Sequence, residues 1–225
     1  MKFSSMIIAI AVLSLFTAIA VAVPAAPTNV DAKDVEGDDG GYINITWDKS
    51  DDDEINVTRY EILRATEQDG TYSSMGNTSS GNETYTDNTE NGIDYYYKVS
   101  ASDGTNSSSS NPTEEPVQSK DDKKPEITEV TNGTVTNSTA VITWKTHEDS
   151  TSRVEYGIES TSEDDNSSSS NVTSHEINLT GLNPSTTYKY VVNSTDEAGN
   201  TNTVGGNSFT TANDTIVDNI KPTVN

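Results

Sequence analysis

The chain contains no cysteine, so neither a disulfide framework nor thiol chemistry is open to it. Histidine is nearly missing as well. His147 and His175 are the only two, which excludes a metal site built from several imidazoles. Basic residues are scarce: 13 Lys and Arg stand against 36 Asp and Glu, for a formal charge of −23. Phosphate binding needs a basic footprint, so nucleic acid is excluded as a partner and anionic membrane surfaces are disfavoured. Apolar residues make up only 31% of the 225, alanine included. That is thin for one large core but adequate for two cores of about 100 residues each. No stretch shows sustained helical periodicity, which leaves β-structure. The acid excess has two readings. One is a solvated secreted surface. The other is a high-salt habitat, in which carboxylates hold a hydrated cation layer around the protein.

Residues 1–22 read as a signal peptide. Lys2 is the positive start, Met6 to Phe16 the apolar run, and Ala20-Val21-Ala22 the small-residue cleavage site. Pro24 and Pro27 follow at once, so the expected product is secreted or cell-surface, with no membrane insertion after cleavage.

The mature chain repeats one pattern. Ile43-Asn-Ile-Thr-Trp47 returns as Ala140-Val-Ile-Thr-Trp144, and each Trp is the only one of its half. Tyr95-Tyr-Tyr-Lys-Val99 returns as Tyr188-Lys-Tyr-Val-Val192. Apolar and polar residues alternate along these runs, as on half-buried strands. Turn signals such as Gly37–Gly41 and Gln68-Asp-Gly70 separate short strands, the pattern of an antiparallel sandwich. The expected organisation is domain one over 24–119, a charged linker over 120–125, and domain two over 126–212. Residues 213–225 are read as a tail or the start of a third module, because Lys221-Pro222 repeats Lys124-Pro125. On that reading 214–225 makes few contacts with domain two, the chain is incomplete, and no apolar anchor closes it.

Tyr60-Glu-Ile-Leu-Arg-Ala-Thr66, Tyr85-Thr-Asp87 and Asn91-Gly-Ile-Asp-Tyr-Tyr-Tyr-Lys-Val99 together resemble a fibronectin type III domain of secreted prokaryotic proteins. Gly181-Leu-Asn-Pro-Ser-Thr-Thr-Tyr188 is similar to the same family's lead into its sixth strand. Thr151-Ser-Arg-Val-Glu-Tyr-Gly157 and Asp196-Glu-Ala-Gly-Asn200 resemble the domain preceding the catalytic domain in purple-acid-phosphatase-like proteins. The resemblance implies an all-β fold of two tandem fibronectin type III, immunoglobulin-like, antiparallel β-sandwiches. It also implies that Trp47 and Trp144 fill the two cores. Tyr95 and Tyr188 fall where a tyrosine corner would tie a crossover loop. Leu182 is the apolar plug of the second crossover, and Ile93 is the substitute expected in the first.

No catalytic residue, cofactor or metal ligand is read here. The clusters Asp38-Asp39 and Asp51–Glu54 lack the regular oxygen spacing and central glycine of a calcium loop. His147 and His175 match no catalytic position of the phosphatase-like family, and nothing is carried over to them. Tyr42, Tyr72 and Tyr96 fit ordinary cross-strand packing better than a sugar platform. The strongest functional marks are twelve glycosylation acceptors, Asn-x-Ser/Thr with x not Pro. They begin at Asn44, Asn56, Asn77, Asn82, Asn106, Asn132, Asn137, Asn166, Asn171, Asn178, Asn193 and Asn213. The identical tracts Asn106–Asn111 and Asn166–Asn171 read as loop filler, with sugar carriage as a further role. The expected function is a non-catalytic extracellular spacer or adhesion module of a cell-surface protein, in a salt-adapted archaeon or bacterium. Its partners would be other surface proteins or polysaccharide. The alternative is the accessory front of a secreted hydrolase (glycosidase, protease or phosphatase) whose catalytic domain lies downstream.

Overall fold

The structure is a computed structural model and describes residues 22–214. The signal-peptide reading and nearly all of the 213–225 tail fall outside these residues. All regular structure described is β. The strands are β1 (Thr28–Asp34), β2 (Tyr42–Asp48), β3 (Arg59–Ala65), β4 (Ser73–Ser79), β5 (Thr84–Asn88), β6 (Tyr96–Ser102) and β7 (Ser107–Ser109). They continue with β8 (Ile127–Val135), β9 (Thr139–Gly157), β10 (Asp164–Thr180), β11 (Thr187–Thr195) and β12 (Thr201–Thr210).

The first sandwich faces a three-stranded sheet, β1-β2-β5, against a four-stranded one, β4-β3-β6-β7. Its core follows from parity. Along β2, Ile43, Ile45 and Trp47 are buried, while Thr46 and Asp48 between and beyond them are exposed. Tyr60 and Ile62 of β3 stand opposite Ala101 and Val99 of β6, and all four are fully buried. An antiparallel strand puts alternate side chains on one face, so this register fills the space over Trp47 from both strands.

The second sandwich is built from longer pieces. The first half of β9 pairs with β8 and with the end of β10, and its second half pairs with the start of β10 and with β11. Two strands therefore serve both halves of the sandwich, and β12 completes the order β10-β9-β11-β12. The core gathers Ile142, Trp144, Val154, Leu179, Tyr190 and Val192, with Leu182 and Phe209 closing it. Gly157 ends β9, and a Cβ there would run into the Ser160 carbonyl, so only glycine fits this turn.

Two readings of the sequence need correction. The serine tracts are not loop filler. Ser107–Ser109 is β7, in register with Ser100–Ser102 of β6, and 166–171 lies within β10, with Asn166 opposite Val154. The ladder supplies backbone bonds to these segments, and an outer strand facing water needs no apolar residue to hold its place. Ile93 is not the plug of the first crossover, because it is exposed. Polar groups close that corner: Thr89 donates from its hydroxyl to Ser119 Oγ (2.9 Å), and both residues are buried.

Packing groups the described residues into two compact units. One holds 22–32, 45–85 and 95–116, and the other holds 33–44, 86–94 and 117–214.

Candidate functional site

The strongest gathering of polar chemistry lies in the second unit. It is made by residues far apart in sequence. Asp39 comes from the turn after β1, Asp121 from the segment before β8, and Glu148 from the bend in β9. Asp196 comes from the turn that joins β11 to β12. Carboxylate oxygens of Asp121, Glu148 and Asp196 lie within 4.8 Å of one another, and Asp39, His147 and Glu148 form a second such group.

The turn at Asp196 is built first. Its carboxylate accepts from the Asn200 backbone N–H (2.8 Å) and from Asn200 Nδ2 (3.0 Å), which fixes a buried acid at the tip of the hairpin. Asn200 Nδ2 also donates to the Asp121 carbonyl (3.1 Å). Burial, with the repulsion of Asp196 behind it, then holds the Asp121 carboxyl above the usual carboxylate range. Burial raises Glu148 in the same way.

His147 does not complete a metal set. Its Nδ1 accepts from the Glu126 backbone N–H (2.9 Å), which puts the ring proton on Nε2. That proton faces Asp39 Oδ1 (3.1 Å), with Glu148 Oε1 at 3.4 Å. Neither ring nitrogen has a lone pair left for an ion. Asp39 is held below the usual range chiefly by this bond. What remains is three converging carboxylates. A proton or a hard cation would relieve their repulsion, but they lack the ordered set of six to eight oxygens that defines a calcium loop.

His175 belongs to the core. It stacks on Trp144 with ring centroids 4.9 Å apart and planes 6° apart. Its Nε2 lies 2.8 Å from Thr146 Oγ1 and its Nδ1 2.8 Å from Ser152 Oγ. The Thr146 hydroxyl spends its proton on the Glu148 carbonyl (2.7 Å), so Nε2–H is the donor to Thr146 and Ser152 donates to Nδ1. The His175–Ser152 pair has the elements of a nucleophile and its base. Both residues are buried.

The remaining sequence candidates are placed as follows. Trp47, Trp144, Tyr95 and Tyr188 are all buried. The Tyr188 hydroxyl accepts from the Asn183 backbone N–H (2.9 Å), the tyrosine-corner bond, while Tyr95 lies under the Arg64 guanidinium at 4.5 Å. Tyr72 and Tyr96 sit on the β3–β6 side of the first sandwich, with Lys98 Nζ 4.1 Å over the Tyr72 ring. Tyr42 begins β2 in the opposite sheet, so the three do not form one platform. The 51–54 loop is held structurally. Asp53 accepts from the Tyr60 hydroxyl (2.6 Å) and the Gly81 N–H (3.1 Å). None of the twelve acceptor asparagines is buried: Asn44, Asn56, Asn106, Asn137 and Asn193 are half-buried and the other seven are exposed.

A two-domain fibronectin type III segment of chicken tenascin superposes with a TM-score of 0.50 at 16% identity, covering 82% of this chain and 99% of that one. The chain has the fold of two tandem fibronectin type III sandwiches. Residues 125–211 match the family model described as the purple acid phosphatase N-terminal domain. A Fn3-like protein from Clostridium thermocellum aligns at 24% identity over 44% of this chain and 90% of that chain, with a TM-score of 0.33. No match is found among curated protein sequences. Among the described residues no helix is long and apolar enough to cross a membrane.

The acidic gathering was not legible in the sequence. Asp39, Asp121, Glu148 and Asp196 share no spacing, and only the folded turns bring them together. The one local signal was the Asp196–Asn200 stretch, quoted above as a family likeness rather than as a turn that aims a carboxylate.

Proposed function

We propose that this chain is a non-catalytic extracellular spacer or adhesion module of a cell-surface protein. The carrying observation is the burial of the reactive groups among the described residues. Among the described residues the hydroxyls that meet an imidazole, Thr146 and Ser152 at His175, are buried, and the clustered carboxylates stand without a nucleophile or a free imidazole. A groove along β1 and residues 110–116 is lined by Pro27, Asn29, Val30, Pro112 and Glu114, with no imidazole in its lining. Sandwiches of this kind act through their surfaces and their length. Attachment to other surface proteins or to polysaccharide fits both, and the acidic surface suits solvation at high salt. Fractionation of the producing cells tests this reading. Recovery with the envelope or the medium supports it, and retention in the cytoplasm overturns it.

The match of residues 125–211 favours a second reading, the accessory front of a secreted hydrolase. The coding sequence past codon 225 separates the two. Further sandwiches or an anchor support the spacer, and a hydrolase domain supports the alternative. Turnover of phosphoesters, glycosides or peptides by the purified chain would contradict both.

A further inference from the structure

The twelve acceptor asparagines are not scattered evenly over the strands. Asn77 lies in β4, Asn132 in β8, and Asn166, Asn171 and Asn178 in β10, and all five are exposed. β4 and β10 are the end strands of their sheets, and β8 pairs with β9 alone among the described strands. Asn44 in β2 and Asn193 in β11 sit in strands with a partner on each side, and both are half-buried. Asn193 Oδ1 accepts from the Thr203 hydroxyl, and among the edge acceptors Asn166 is the one whose Nδ2 is engaged, donating to the Asn178 carbonyl (3.0 Å). Exposure of an acceptor within a strand thus follows edge position.

These same edges are guarded only in part: register shifts interrupt the β3–β4, β8–β9 and β9–β10 ladders, and acidic residues stand in β8 and β10. An open edge strand invites pairing with another chain, and proteins blunt it with lysine, proline or shortness. β10 runs for 17 residues, and β4, β8 and β10 contain neither lysine nor proline. A bulky hydrated chain on an outward asparagine would prevent a second strand from docking.

Resting on the export reading above, we propose that Asn77, Asn132, Asn171 and Asn178 carry N-linked sugar, and that this sugar keeps the sandwich edges from pairing. The reaction is a glycosyl transfer from a lipid-linked sugar phosphate or pyrophosphate. The asparagine Nδ2 forms a bond to the sugar C1, the C1–O bond to the phosphate breaks, the lipid phosphate leaves, and one amide proton is lost. The half-buried Asn44 and Asn193 stand in strands paired on both sides, which leaves a transferase less room at Nδ2 than the exposed edge acceptors do.

Glycopeptide mapping of the protein recovered from its own cells tests the first half. Sugar on these four edge asparagines with Asn44 and Asn193 bare supports the proposal. Sugar on Asn44 or Asn193, or on no edge strand, overturns it while leaving an exported spacer intact. Bare protein retained in the cytoplasm overturns both readings. The second half is read on variants Ser79→Ala, Thr134→Ala, Thr173→Ala and Thr180→Ala combined, which remove the four proposed acceptor motifs at exposed positions and leave each asparagine in place. Sedimentation of the full chain should shift from monomer toward dimer and larger species at equal concentration. An unchanged monomer would show that the sugar does not guard the edges.

Discussion

The two tryptophans occupy the same place in the same fold and are held differently. Trp144 Nε1 donates to Ser194 Oγ (2.9 Å), whereas Trp47 Nε1 is buried with no hydrogen-bond partner among the described residues. The register explains why. Tyr95, Tyr97, Val99 and Ala101 of the first sandwich correspond to Tyr188, Tyr190, Val192 and Ser194 of the second, so the missing acceptor is the side-chain oxygen that alanine lacks. Ile62 pairs with Val99 and Val154 with Val192, which makes Tyr60 the counterpart of Ser152. In the first sandwich the large Tyr60 leans on Trp47 at 56°. In the second, the small Ser152 leaves room for His175 to lie flat on Trp144. One core is closed by bulk and leaves an indole N–H unsatisfied. The other is closed by a bonded polar network. An orphaned buried donor costs about 1–3 kcal/mol, a large share of a small domain's stability.

The largest expected effect is loss of the ring itself. Trp47→Ala and Trp144→Ala should each cost about 3–5 kcal/mol. Trp144→Ala should lie at the upper end, because it also strands Ser194 and unseats His175. Denaturant unfolding followed by amide exchange in β2 and in β9 reads the two separately. Equal losses would break the contrast.

Ser194→Ala is next. It recreates the Trp47 situation in the second sandwich and should lower its stability by about 1–3 kcal/mol, leaving the first unchanged. A neutral result would show that the Trp144 bond contributes nothing net.

Acid should separate the sandwiches further. The first contains no imidazole. In the second, burial holds His175 below its ordinary value of 6.5, so the folded state favours the neutral ring. The charged neighbours along these strands are exposed, Glu176 among them, and Lys145 is paired with Glu129 at 2.7 Å. Stability from His175 is therefore complete above pH 6.5 and is lost as pH falls from there through the folded value. Melting of the second sandwich should drop over that range, and His175→Gln should remove the drop. A pH-independent melting temperature in the unaltered chain would contradict this account.

The smallest effect concerns the carboxylates. Because Glu148 and Asp121 are raised, their charged forms oppose folding at neutral pH, and this opposition fades as pH falls through the folded values. Glu148→Gln should leave the second sandwich equally or slightly more stable in dilute buffer, and molar KCl should narrow the difference by screening. A clear loss would mean that the His147 contact outweighs the repulsion.

Much of the fold was legible because its signals are local. Alternation at Ile43–Trp47 and the tyrosine runs mark inward faces without help from the rest of the chain. The serine tracts were misread because serine has little strand preference of its own; their ladders with β6 and β9 decide them. The continuity of β9 and β10 was hidden for the same reason, since polar residues from Thr146 to Ser150 carry the strand through its bend. The orphaned indole of Trp47 and the bonded one of Trp144 differ by a single side chain 54 or 50 residues away, Ala101 against Ser194. No short pattern reports that difference.

The contrast between the cores can be tested by exchanging it. In the double variant Ala101→Ser with Ser194→Ala, the first sandwich gains an acceptor for Trp47 and the second loses the one for Trp144. Amide exchange of the full chain should then show β2 and β6 better protected than before, by about 1 kcal/mol, and β9 and β11 less protected by about 1–3 kcal/mol. If both sandwiches lose protection together, or neither changes, the indole bond is not what distinguishes them.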